Sequence, residues 1–324
     1  MNDKIIVIDT LGSDKGPETI VLGAANLLKA EPEISVCLVG PKEIIEKVLT
    51  DNNADMSRVE IVEANETITN YENPMTGIMS KPQASLVQAM KKVGSDDKYI
   101  GLLTAGSSGA ILMGSLRFLS TVEKTRPCMA AVLPNAADAF TCLVDTGATI
   151  DVTSGQLHEF ARLGSDFMKK LYKIESPRVG LLSNGAEKTK GNHLTKETYP
   201  LLEADSSLNF VGNIEGNRTL SGDCDVLVAD GFAGNQVLKN AEGMAKNLIG
   251  DIVKYSKKNN KPEFMEIVQY LASKYDLSAL GGAIVLGTRK PIFKCRGNSD
   301  ERAIVNVSKM LINYNSGAAF YNMK

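Results

Sequence analysis

Four times this chain runs from a short apolar segment into a small, glycine-bearing polar loop and then toward a helix start. Tyr99 to Thr104 leads into Ala105-Gly106-Ser107-Ser108-Gly109, Val179 to Leu182 into Ser183-Asn184-Gly185, and Val226 to Ala229 into Asp230-Gly231-Phe232-Ala233-Gly234-Asn235. Near the N-terminus, Ile5 to Ile8 leads into Asp9-Thr10-Leu11-Gly12-Ser13-Asp14. Strands alternating with helices in this way predict an α/β fold with a mostly parallel sheet flanked by helices. In such sheets the loops at the carboxyl ends of the strands line one crevice, where helix N-termini offer free N–H groups to an anion. The expectation is an enzyme-like protein with a phosphate-sized anion site.

The β-branched run Ile5 to Ile8 has the character of a strand buried on both faces. Ser13 or Asp14 is expected to cap the helix that follows, with Pro17 in its first turn. Further strands are predicted over 34–39, 59–62, 99–104, 139–144, 179–182 and 226–229, and helices over 42–49, 84–93, 155–172 and 301–314. The stretch 65–82, with Pro74, Gly77 and Pro82, reads as an irregular loop. Beyond Gln236 the pattern changes to two helical segments, 236–255 and 263–275, around the polar tip Ser256-Lys257-Lys258-Asn259-Asn260-Lys261-Pro262. A projecting helical hairpin over 236–280 fits best, and Gly281 to Gly287 returns to strand-like sequence. No clean linker divides the chain, so residues 1–324 read as one α/β unit, with two lobes and a cleft between them as the other option.

Charge balance narrows the functional classes. With 36 basic against 38 acidic residues, the net charge of −2 argues against a nucleic-acid-binding surface. No apolar stretch approaches the length that spans a bilayer, and the N-terminal apolar run is too short for a signal peptide. Five scattered cysteines without a CxxC pair read as buried thiols in a reducing cytosol, which predicts a cytoplasmic protein. Two histidines are too few for a His-rich metal site.

Each candidate loop has a bland and a functional reading. Gly106-Ser107-Ser108-Gly109 is either a tight turn or an anion cradle, since small residues let backbone amides approach and the hydroxyls add donors. It is neither a Walker sequence nor a GxGxxG fingerprint. The segment Glu187-Lys188-Thr189-Lys190-Gly191-Asn192 is either a solvated charged loop or a source of ammonium groups for a phosphate or a developing oxyanion. Asn235 can cap a helix or donate to a reacting carbonyl. Cys295 stands between Lys294 and Arg296, which would lower a thiol's pKa, although an inert lone thiol is the commoner case. His193 could serve as an acid or base, or lie idle on the surface.

In this order and spacing the loops resemble the PlsX family of phosphate acyltransferases over nearly the whole chain. The family's Asp-Ala-Met-Gly-Gly-Asp corresponds to Asp9-Thr10-Leu11-Gly12-Ser13-Asp14, and its Ser-Ala-Gly-Asn-Thr-Gly-Ala to Thr104-Ala105-Gly106-Ser107-Ser108-Gly109-Ala110. Asp-Arg-Pro corresponds to Thr125-Arg126-Pro127, and Asp-Val-Gly-Ala to Asp145-Thr146-Gly147-Ala148. Lys190-Gly191-Asn192, Gly212-Asn213-Ile214-Glu215-Gly216, Asp230 to Asn235 and Gly281-Gly282-Ala283 also match.

The resemblance implies a homodimeric fold related to phosphotransacetylases and to isocitrate- and isopropylmalate-dehydrogenase-like proteins. It implies transfer of a fatty acyl group from acyl carrier protein to inorganic phosphate, giving acyl phosphate for phospholipid synthesis, without a cofactor or metal. The family's key lysine and asparagine fall on Lys190 and Asn235. Phosphate and substrate binding fall to Asp9, Gly12, Gly106, Ser107, Ser108, Gly109, Asp145, Asn192, Asp230 and Gly234. A basic run of the family is reduced to Lys81 within Ile78-Met79-Ser80-Lys81-Pro82. The hairpin tip, often apolar and associated with membrane contact in the family, is here rich in Lys and Asn, which weakens the expectation of peripheral membrane contact and suits an acidic carrier protein or anionic lipid heads.

Three other readings stand beside this one. A paralogue resembling the acetyl-transferring subunit of the glycine reductase complex, or a phosphotransacylase using acyl-CoA, would use the same two residues on a shorter or differently carried acyl group. A nicotinamide-dependent dehydrogenase on a similar scaffold would need fingerprint glycines that are missing. A non-catalytic scaffold would recruit carrier protein through the basic tip.

Overall fold

A computed structural model describes residues 4–122, 125–275 and 282–318. These residues divide into two compact units, one comprising residues 4–122, 125–129 and 282–318, the other residues 130–275. Of the expected features, Gly281 and residues 276–280 of the hairpin lie outside the described residues.

In the first unit, β1 (Ile5–Asp9), β2 (Ser35–Gly40), β3 (Val59–Glu63) and β4 (Tyr99–Thr104) join β10 (Ala283–Leu286) and β11 (Ile292–Lys294) in the order β3-β2-β1-β4-β11-β10. All neighbours are parallel except β10 and β11. Ile5, Ile6, Val7 and Ile8 are buried throughout, as a strand covered on both faces must be. Around the sheet lie α1 (Pro17–Ala30), α2 (Lys42–Asp51), α3 (Pro74–Ser80), α4 (Ser85–Ser95), α5 (Ser108–Phe118) and α10 (Glu301–Ser316).

Two local expectations fail here. Helix α1 is preceded by Gly16 and has no side-chain cap. Ser13 Oγ instead donates to the Gly297 carbonyl (3.2 Å) and accepts from the Lys15 N–H (3.2 Å). Within the supposed loop 65–82, Asn73 Oδ1 accepts from the N–H groups of Met75 and Thr76 and starts α3 at Pro74.

The chain leaves the first unit after Met129, inside β5 (Cys128–Pro134). The second unit continues with β6 (Phe140–Val144), β7 (Arg178–Ser183), β8 (Asn209–Glu215) and β9 (Val226–Val228), in the order β5-β6-β9-β7-β8. Only the pair β5 and β6 is antiparallel. Helix α6 (Ser154–Tyr172) opens with a capping box in which Thr153 and Gln156 satisfy each other's backbone N–H groups. Helix α7 spans His193–Ala204. Helix α8 (Gly231–Lys258), of 28 residues, packs along α9 (Phe264–Tyr275). The chain is thus an α/β protein whose sheet strands run mostly parallel. Among the described residues no helix is long and apolar enough to cross a membrane.

Candidate active site

Register places the site residues of the first unit. Ile8 of β1 pairs with Leu103 of β4, so Asp9 and Thr104 emerge side by side at the carboxyl ends of two parallel strands. Thr104 Oγ1 donates to Asp9 Oδ2 (2.7 Å) and accepts from the Gly106 N–H (3.0 Å), while the Leu11 N–H donates to Asp9 Oδ1 (3.2 Å). Gly12, at φ +89°, crosses so close to the second loop that a Cβ there would lie 2.8 Å from Gly106 Cα. Only glycine meets both demands. Asp9, Gly12 and Gly106 therefore form one cluster, with Thr104, a motif residue that spacing alone does not mark out, as the connecting group. Ser107 precedes α5 without spending its hydroxyl on a cap, Ser108 opens the helix, and Gly109 packs against Pro74. The first-turn N–H groups of α5 and these two hydroxyls are the donors this unit offers to an anion.

Burial pushes the Asp9 carboxyl up to about 6, against the pull of hydrogen bonds from Ser85, Thr104 and the Leu11 N–H. Its unfolded value is the ordinary 3.8, so the folded protein holds this proton more tightly. Stability is therefore lost as pH rises from about 4 to about 6, and the full cost of the buried charge persists above that range. An Asp9→Asn variant lacks this titration. Its stability relative to the parent should rise between pH 4 and 6 and stay level above, as read by urea unfolding at each pH. A pH-independent difference would contradict the assignment.

In the second unit Val144 of β6 pairs with Val228 of β9, which brings Asp145 and Asp230 to neighbouring strand ends. Asp145 is fully buried; Oδ1 accepts from the N–H groups of Gly147 (3.1 Å) and Ala148 (3.0 Å), and Oδ2 accepts from Thr149 N–H (2.7 Å). This carboxylate shapes the loop after β6 rather than facing solvent. Asp230 caps α8, accepting from the Ala233 N–H (2.8 Å). The helix thus begins at Gly231, five residues earlier than the sequence pattern placed it, and Asn235 lies inside it instead of capping it.

Gly231 and Gly234 let α8 ride on the loop after β6. A Cβ on Gly231 would stand 2.5 Å from the Thr149 carbonyl oxygen, and one on Gly234 would stand 1.9 Å from that of Asp145. With the backbones this close, Asn235 Nδ2 donates to the Thr146 carbonyl (3.1 Å). One amide hydrogen is thereby fixed, which orients the group and leaves the second free to donate. Asp145, Gly234 and Asn235 form one contiguous constellation.

The lysine loop follows β7. Asn192 caps α7 by accepting from the Thr195 N–H (2.9 Å), and Asn184 Oδ1 accepts from the Gly191 N–H (2.8 Å). The exposed Lys190 packs its stem against Gly185, and among the described residues its ammonium group has no ion-pair partner. Lys188 differs: it pairs with Glu203 and lies 5.2 Å from the centre of the Tyr199 ring. His193 is exposed beside Glu197 (3.2 Å).

A cavity of about 610 Å³ is lined by Ser183, Asn184, Asn192, Gly216 and Asp230, among others. It brings Asn192 and Asp230 together. Ser183 Oγ is buried at its wall, with no hydrogen-bond partner among the described residues. The sequence pattern puts Ser183 first in the loop after the apolar run 179–182 and attaches no role to it, whereas in the structure it is the last residue of β7. Among the described residues, no three His, Cys, Asp or Glu side chains gather as a metal ion would require.

Cys295 departs from its sequence reading. The residue is fully buried, and burial pushes its thiol up to about 12 despite Lys294 next to it. All five cysteines are buried. Iodoacetamide at neutral pH should leave Cys295 unmodified in the folded protein and alkylate it in urea, as peptide mass analysis would show.

A family model described as "Fatty acid synthesis protein" matches residues 5–313. A phosphate acyltransferase from Syntrophomonas wolfei is 38% identical over 302 residues, covering 93% of this chain and 91% of the relative. One from Clostridium tetani is 33% identical over 330 residues, covering 98% and 96%. Among solved structures, a phosphotransacetylase from Staphylococcus aureus aligns with a TM-score of 0.62 at 17% identity, covering 97% of this chain and 94% of that one. A 4-hydroxythreonine-4-phosphate dehydrogenase from Klebsiella pneumoniae aligns with a TM-score of 0.55 at 10% identity, covering 96% and 99%. These two likenesses concern the fold.

Proposed function

The chain belongs to the fatty acid synthesis protein family, and on that premise we propose that it transfers an acyl group from a thioester to inorganic phosphate, giving acyl phosphate. The observation that carries this reading is identity of 33–38% to phosphate acyltransferases across more than nine-tenths of the chain. A phosphate oxygen attacks the thioester carbonyl carbon. The new C–O bond forms as the C–S bond breaks, and the sulfur leaves as a thiol carrying the proton that hydrogen phosphate held. Negative charge develops on the carbonyl oxygen and must be met by donors already in position.

Asn235 suits that task because its amide is oriented by the Thr146 carbonyl. Lys190 supplies a mobile ammonium that neutralises phosphate and draws it toward the carbonyl. Asn192, Asp230, Asp145 and Gly234 shape the loops that carry these two groups, and the first-unit cluster of Asp9, Gly12 and Gly106 to Gly109 remains the other candidate for holding anion. Acyl carrier protein is the proposed donor, drawn to exposed Lys257 and Lys258 at the end of α8. A cytoplasmic homodimer is the proposed working form.

Purified protein incubated with phosphate and either palmitoyl-acyl carrier protein, palmitoyl-CoA or acetyl-CoA should yield acyl hydroxamate when hydroxylamine traps the product. No hydroxamate from any of the three would reject the assignment.

A further inference from the structure

Lys190 sits on a loop whose backbone is held from both sides by side-chain amides. Ahead of it, the Glu187 carbonyl accepts two hydrogen bonds, one from the Lys190 N–H (2.9 Å) and one from Asn213 Nδ2 (2.9 Å). Behind it, Asn184 Oδ1 accepts from the Gly191 N–H (2.8 Å), and Gly191 takes φ +108°, a conformation that favours glycine. Asn184 directly follows β7, and Asn213 lies on β8 opposite Leu181 of β7, so both amides are rooted in the sheet or at its edge. The stem of Lys190 rests on buried Gly185, where a Cβ would stand 2.6 Å from Cγ of the lysine.

We propose that Asn184 and Asn213 are positioning residues that fix the backbone of Lys190 on both sides, an inference that rests on the acyl-transfer reading above. A lysine reaches its target through a flexible four-carbon stem, so the direction of that reach depends on where the stem is rooted. Misplacing a reacting group by about 1 Å can cost on the order of 100-fold in rate. Asn213 carries a burden that a plain turn would not require. It is 8% exposed, and its Oδ1 is buried with no hydrogen-bond partner among the described residues. The amide cannot turn round to relieve this, because the Glu187 carbonyl only accepts and Nδ2 must face it. An apolar residue of similar size would orphan nothing, since the Glu187 carbonyl would keep the Lys190 N–H. A buried polar atom left unpaired in this way calls for a functional reason, and the lysine two hydrogen bonds away supplies one.

Asn213→Leu removes the donor to Glu187 together with the unpaired acceptor, and Asn184→Ala removes the acceptor for Gly191. Each should lower kcat for acyl phosphate formation from palmitoyl-CoA and phosphate about 10-fold, with KM for the thioester and the urea midpoint near parental. In a Lys190→Ala background the same two substitutions should cost no further activity, because residues that act through one group are not additive. A comparable further loss in that background, or parental kcat in both single variants, would overturn the proposal. Hydrogen exchange followed by peptide mass analysis tests the brace without turnover. The amides of residues 185–192 should exchange faster in both variants, and unchanged exchange would overturn the brace itself. A wild type that yields no acyl phosphate would instead overturn the functional reading beneath it.

Discussion

Lys190→Ala should lower the rate of acyl phosphate formation by a factor of about 100, the usual consequence of losing a group that holds one reactant in place against the other. Folding should be untouched. Lys190 is exposed, its stem rests on Gly185, and among the described residues its ammonium group pairs with no carboxylate, so truncation strands no buried partner. Lys188→Ala is the informative control two residues away. That side chain is engaged with Glu203 and the Tyr199 ring, so its loss should cost no more than the roughly 0–1 kcal/mol of a surface ion pair and leave turnover nearly intact. Lys190→Arg keeps the charge but exchanges a compact ammonium for a broad planar fork, and should recover only part of the rate. Trapping the product as hydroxamate measures all three. A Lys190→Ala protein with parental turnover would remove this residue from the mechanism.

The parts of the fold legible in the sequence were those where one period dominated. Ile5 to Ile8 and Val226 to Val228 are uniformly apolar because both faces are covered. Three strands lacked that signature. β5 is built partly from alanines and ends in a proline, and β11 has three residues directly after Pro291. β8 carries Gly212 at φ +95° and alternates exposed with half-buried positions before its buried end. Their pairing is set by neighbouring strands, which a local window does not contain.

The site was legible as a set of loops, while the division of labour inside them was not. Asp230 and Asn192 carry side chains suited to binding, yet both are seen accepting from the first turn of the following helix. Asp145 resembles a catalytic carboxylate in sequence and is instead enclosed by three backbone donors. Cys295 has two cationic neighbours in sequence, but burial governs its thiol. In each case a tertiary contact decides the role, and spacing carries no record of it.

The glycines of Gly231-Phe232-Ala233-Gly234 show the same effect most sharply, and they lead to the second large prediction. In sequence they look like a flexible loop, because glycine disfavours helix interiors. In the structure they are the first turn of α8, and their missing side chains let the helix lie on the loop after β6. Gly234→Ala would set a methyl group 1.9 Å from the Asp145 carbonyl oxygen, a backbone atom anchored in the same loop as the three donors to that residue's carboxylate. Both groups are backbone-anchored, so the clash is relieved only by lifting the start of α8 off the loop, and the cost should reach about 3 kcal/mol, the upper part of the range for overpacking. The displaced helix carries Asn235 away from Thr146, and a shift of this kind at a reacting group should reduce turnover about 100-fold. Gly243→Ala tests whether position rather than residue type is responsible. It lies in the same helix with no atom within 4 Å of the added Cβ, so it should raise stability by about 0.5–1 kcal/mol. Urea midpoints and hydroxamate assays on the pair separate the cases, and a Gly234→Ala protein as stable and active as Gly243→Ala would show that α8 does not need this close approach.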